Sequence, residues 1–178
     1  TEPERDLIDY HREAGVGFYM PNMASFFQAT DADDVISRVD KVQTNGVPEI
    51  VWHLETPLGT IERRRIWEPV TYAWGISQWG VRSESDLRVL GHALGSRRYA
   101  SDWQQWGQWD QCVGDTGLVY LSAGYSAMGH LLNYWMGIEQ TMYATVDMPD
   151  VMEEVVTQIN DNQLELIDLL CQSPAQVI

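Results

Sequence analysis

A chain of 178 residues is long enough for one domain with a hydrophobic core, yet shorter than the roughly 250 residues that a complete barrel of eight strand and helix pairs uses. Its 11 Lys and Arg against 26 Asp and Glu leave a formal net charge of −15, a field that repels polyanions and excludes nucleic acid as an expected partner. No apolar run approaches the roughly 20 residues of a membrane span, and Cys112 and Cys171 stand in no CxxC or HxC arrangement that would mark zinc or redox chemistry, so no membrane partner and a cytoplasmic location are expected.

In chain order, Leu7, Ile8 and Tyr10 set among Arg5, Asp6, Asp9 and Arg12 predict an amphipathic helix over 4–14, stopped by Gly15. Residues 16–20, Val-Gly-Phe-Tyr-Met, read as a buried strand ending at Pro21. Asp31 as a cap, with Val35, Ile36 and Val39 at helical spacing, predicts a short helix over 31–41. Two extended runs, 50–55 and 60–67, flank Thr56-Pro57-Leu58-Gly59 and predict a β-hairpin, whose second strand carries Arg63, Arg64 and Arg65 as an exposed edge would.

Ser83 and Asp86 have the spacing of a capping box, and Leu87, Leu90 and Leu94 follow at intervals of three and four, predicting a helix over 83–94. Trp103, Trp106 and Trp109 would line one side of a helix, either as packing against a core or partner or as a platform for ligand stacking. The glycine-bounded apolar run 117–124 reads as a strand buried on both faces of a parallel sheet, followed by a helix over 126–135. Asp147 as cap and Pro149 in the first turn open a long helix with Met152, Val156, Ile159, Leu166 and Leu170 on one stripe. Ser173-Pro174-Ala175 ends it, and 176–178 read as the start of another strand, completing a βαβ unit. Thr1 in place of Met and that incipient final strand give the expectation of a single domain over 1–178, truncated before a second half.

The order of motifs from residue 48 onward resembles the uroporphyrinogen decarboxylase superfamily. The elements that carry the likeness are Thr56-Pro57-x-Gly59 in the hairpin, Ser83-Glu84-x-Asp86-Leu87, Ala123-Gly124-Tyr125-Ser126, Gly137-Ile138-Glu139, Met148-Pro149-Asp150 and Pro174-Ala175 before a strand. The resemblance implies an α/β fold, a partial TIM-type (β/α)8 barrel with an inserted β-hairpin and a site at the C-terminal ends of its strands. It places Gly124 and Ser126 as substrate-binding residues and Tyr125 and His130 as catalytic ones, Tyr125 donating a hydrogen bond to a substrate carboxylate and His130 acting as acid or base.

The superfamily includes the decarboxylase of haem synthesis and methyltransferases acting on corrinoid proteins or coenzyme M. The decarboxylase's Arg-Gln-Ala-Gly-Arg segment is missing here, which directs the expectation to the methyltransferase branch, with a corrinoid and zinc in the intact parent. The zinc pattern of that branch, His-x-Cys with a distant Cys, is not reproduced by His53, His92, Cys112 and Cys171. The expected partners are therefore a small-molecule or corrinoid substrate and a second copy or complementing chain. Decarboxylation of a tetrapyrrole is the alternative reaction. A non-catalytic half-barrel pairing with another chain is a second alternative, and a third is a binding module unrelated to barrels, which would instead show a closed antiparallel sheet around the 50–67 hairpin rather than a parallel strand at 118–123.

Overall fold

The computed structural model describes residues 2–20 and 26–178, so Pro21, the expected end of the first strand, lies outside the described residues. Its residues gather into two compact units, one of residues 30–98 and 125–164 and the other of 1–29, 99–124 and 165–178.

The first unit is built on a four-stranded antiparallel sheet in the order β3-β4-β5-β6, comprising β3 (Ile36–Thr44), β4 (Val47–Thr56), β5 (Gly59–Glu68) and β6 (Ala73–Gln78). Asn45 and Gly46 join β3 to β4 with φ of 53° and 80°, the two left-handed positions a two-residue hairpin turn needs. Register then decides the faces. Leu54 lies opposite Ile61, Trp52 opposite Arg63, and Ile50 opposite Arg65. Side chains alternate along a strand, so these six share one face. That face meets the core, where Leu54 and Ile61 pack with Leu87 and Leu90 of α2 (Glu84–Gly95), Leu131, and Ile159 of α6 (Pro149–Cys171). The opposite face carries a polar ladder: His53 sits 3.3 Å from Asp40 and 3.2 Å from Glu62, and Arg64 lies 2.6 Å from Glu62.

Helix α2 begins as its sequence predicts, with the Ser83 hydroxyl accepting from the Asp86 N–H at 3.2 Å. Helix α4 (Ala127–His130) runs into a π-helical turn over Leu131–Trp135, and α5 (Ile138–Asp147) follows. Asp147, the expected cap of the long helix, is the last residue of α5 instead, and Pro149 opens α6.

In the second unit, α1 (Glu2–Glu13) precedes β1 (Phe18–Met20), which pairs in parallel with β8 (Gly117–Val119) over three residues. The Leu121 N–H donates to the Val177 carbonyl at 3.0 Å, but residues 176–178 form no strand. Helix α3 (Trp103–Val113) buries Trp106, whose indole N–H donates to the Val119 carbonyl at 3.3 Å, and Trp103 and Trp109 pack against the same core. The tryptophan row is therefore packing rather than a stacking platform. The short strands β2 (Phe27–Thr30) and β7 (Arg98–Ser101) form a further pair.

Three expectations are corrected. A partial TIM-type (β/α)8 barrel with an inserted hairpin is not what forms: the main sheet is antiparallel and no barrel closes among the described residues. The reason is local. Strands joined by turns of two residues must run antiparallel, whereas parallel neighbours need a crossover of a dozen or more residues. Residues 36–41, expected as helix, belong to β3, where nine residues pair with β4 and the β-branched Ile36, Val39 and Val42 suit an extended backbone. Finally β5, expected as an exposed edge, is interior to the sheet, with β4 on one side and β6 on the other. No helix among the described residues is long and apolar enough to cross a membrane.

Candidate anion-binding site

Of the four residues expected at a site, the structure brings Tyr125 and His130 together. Both lie in the sheet unit, their rings 6.4 Å apart and edge to face. Tyr134, one turn further on, completes a triangle at 5.3 Å from Tyr125 and 5.8 Å from His130. The Tyr125 carbonyl accepts a hydrogen bond from the Gln163 amide, which fixes the backbone on entry to α4. Ser126 is used structurally: its hydroxyl accepts from the Gly129 N–H at 3.2 Å as the cap of α4. Gly124 belongs to the other unit, where it adopts φ 80° and donates its N–H to the Ser122 hydroxyl at 3.2 Å.

The structure adds residues that the sequence reading left on a solvent edge. Arg63 is 4% exposed, and its guanidinium carbon lies 4.0 Å from the Trp52 ring centre and 5.1 Å from those of Tyr134 and Trp135. Arg65, two residues on and hence on the same face, reaches the Trp52 and Tyr134 rings at 5.9 and 5.4 Å. Gly80 makes room for this stack, since a Cβ there would lie 2.6 Å from the Trp135 ring. The π-helical turn presents Tyr134 and Trp135 to the sheet, and such turns are frequent at functional sites.

The electrostatics are unusual for so acidic a chain. Five other arginines, Arg12, Arg38, Arg64, Arg88 and Arg97, have carboxylate partners. Among the described residues Arg63 donates once, from its terminal nitrogen to the Tyr134 carbonyl at 3.2 Å, and the buried Nε–H groups of Arg63 and Arg65 meet no acceptor there. Burial first, and the charge of Arg65 second, bring the Arg63 pKa down to about 10, which leaves it cationic at neutral pH. His130 is lowered as well: burial, then the positive charges of Arg97 and Arg63, bring it down to about 4. Its imidazole is thus neutral near pH 7, able to donate one hydrogen bond and accept another.

One buried and one half-buried guanidinium with spare Nε–H donors, a neutral imidazole and two phenols form a set suited to a small anion, because guanidinium N–H groups match carboxylate oxygens in geometry and charge. Shifted ionisation in such a cluster is itself a mark of functional sites. Cavities of about 540 Å³ beside Trp79 and Arg82 and about 580 Å³ beside His11 and Arg12 contain none of these residues. Among the described residues no group of three or more His, Cys, Asp or Glu is placed to hold a metal ion. The arginine pair was missed because three successive arginines resemble a solvated strand; the available signal was their alternation opposite Trp52. No family model matches this chain, and no curated protein and no solved structure matches it.

Proposed function

We propose that the protein binds a small carboxylate-bearing molecule between Arg63, Arg65 and the Tyr125, His130 and Tyr134 rings. The observation that carries this reading is the pair of buried guanidinium Nε–H groups without an acceptor. A buried donor left unpaired costs about 1–3 kcal/mol, more when charged, and a bound carboxylate removes that cost. Tyr125, 47% exposed, is the most exposed member of the cluster. Of the two reactions implied by the family resemblance, decarboxylation of a carboxylated substrate needs such a clamp, while methyl transfer to a corrinoid gains no support from it.

The test uses formate, the smallest carboxylate, so that ligand shape does not decide the outcome. Titration of the intact chain, followed by the side-chain NMR signals of Arg63 and Arg65, should give saturable shifts that disappear in Arg63→Met. A wild-type response that does not saturate, or one that survives in Arg63→Met, overturns the reading.

A further inference from the structure

We propose that His130 takes up a proton from solvent when a carboxylate docks against Arg63 and Arg65, so that the site binds an anion and a proton together. The inference rests on the carboxylate reading above and adds a role for His130 that the reading does not require.

The His130 ring is flanked by the ring of Tyr125, from the segment before α4, and that of Tyr134, from the π-helical turn, with centres 6.4 and 5.8 Å away. The charges acting on it are Arg63, from β5, and Arg97, which follows α2. Arg97 is held by Asp31 at 3.1 Å, which offsets part of its charge. Arg65 reaches the same Tyr134 ring that His130 contacts. In the free protein every cation at this cluster opposes a charge on the imidazole, and burial opposes it as well.

A carboxylate seated on the arginines reverses that balance. Its negative charge screens Arg63 from the ring and favours the imidazolium directly, through a partly buried medium where charges act more strongly than in water. The proton comes from solvent and goes to a ring nitrogen; no bond to the ligand forms or breaks. Because the ring holds a larger fraction of a proton in the complex than in the free protein, anion affinity must rise as pH falls through the bound-state titration.

The experiment follows the imidazole Cε1–H signal of His130 with pH, with and without saturating formate, sodium chloride serving as the ionic-strength control. The chain has 4 His, so His130→Gln assigns the signal. The expected result is a titration displaced upward by formate and not by chloride, with formate binding about tenfold tighter near pH 5 than near pH 7. In His130→Gln that pH dependence should vanish. Formate that binds equally at both pH values and leaves the His130 titration unmoved overturns proton uptake while the carboxylate site stands. Formate that fails to bind at any pH removes the site itself. The displacement by formate and the affinities at the two pH values are read on the wild-type chain, so they decide the matter even where the variant serves only for assignment.

Discussion

Arg63 poses the sharpest question in the molecule, because its energetic role and its functional role predict opposite outcomes. Three aromatic rings around a desolvated guanidinium contribute on the order of 2 kcal/mol. Burying a cation with no carboxylate partner costs several kcal/mol, so stability alone does not favour an arginine here. Arg63→Met keeps the length and loses the charge. Its urea midpoint should equal or exceed that of wild type while formate binding is lost; a fall of more than about 2 kcal/mol would make Arg63 a packing residue and nothing else. His130 gives a second prediction at this scale. Its folded pKa of about 4 lies below the ordinary value of 6.5, so the unfolded chain binds the extra proton. Stability on its account is full above about pH 6.5 and falls as pH drops toward about 4, where the penalty levels off. His130→Phe should flatten that part of the curve of urea stability against pH, and an unchanged slope would show that the ring titrates normally in the fold.

At the scale of elements, legibility followed how local the determining signal is. Helix α2 was readable because its cap, Ser83, and its Leu87, Leu90 and Leu94 stripe lie within twelve residues, and the hydroxyl does accept the Asp86 N–H. Ser83→Ala should cost about 1 kcal/mol in urea denaturation, and no change would mean that the cap is redundant. Strand β3 was misread for a matching reason. Val35, Ile36 and Val39 satisfy a helical spacing, and what overrides it is pairing with β4 through Asn45-Gly46, a turn signal lying beyond the segment itself. With φ at 80°, Gly46→Ala should destabilise by about 1–2 kcal/mol; a neutral result would mean that the turn relaxes to another type and does not fix the register. The charged stretch at Arg63–Arg65 shows the limit from the other side. Its alternation is visible in sequence, but which of the three side chains enters the core depends on the partner strand.

For the whole molecule, composition could bound size and charge but could not choose between a parallel and an antiparallel sheet, because that choice lies in the connections, here the two-residue turns that join β3 to β4 and β4 to β5. The alternative of a closed antiparallel sheet around the 50–67 hairpin, in place of a parallel strand at 118–123, agrees with the four-stranded sheet in strand direction, but that sheet is open and β8 pairs in parallel with β1. Tyr125 and His130 were expected at a site only through the family resemblance, at the mouth of a barrel that does not form, whereas their cationic neighbours come from β5, some sixty residues earlier in the chain. The division into two units makes the location of the site testable without reference to any single side chain. Arg63, Arg65, Tyr125, His130 and Tyr134 all fall in the unit of residues 30–98 and 125–164, while the parallel pair of β1 and β8 falls in the other. A ligand protects the amides whose opening it opposes, and openings occur locally as well as globally. Saturating formate should therefore slow hydrogen exchange most in peptides from β4, β5 and the Leu131–Trp135 turn, and least in Phe18–Met20 and Gly117–Val119. Protection centred on the latter peptides would move the anion site into the second unit, where His11 and Arg12 border a cavity of their own, and the arginine pair on β5 would then be a feature of packing.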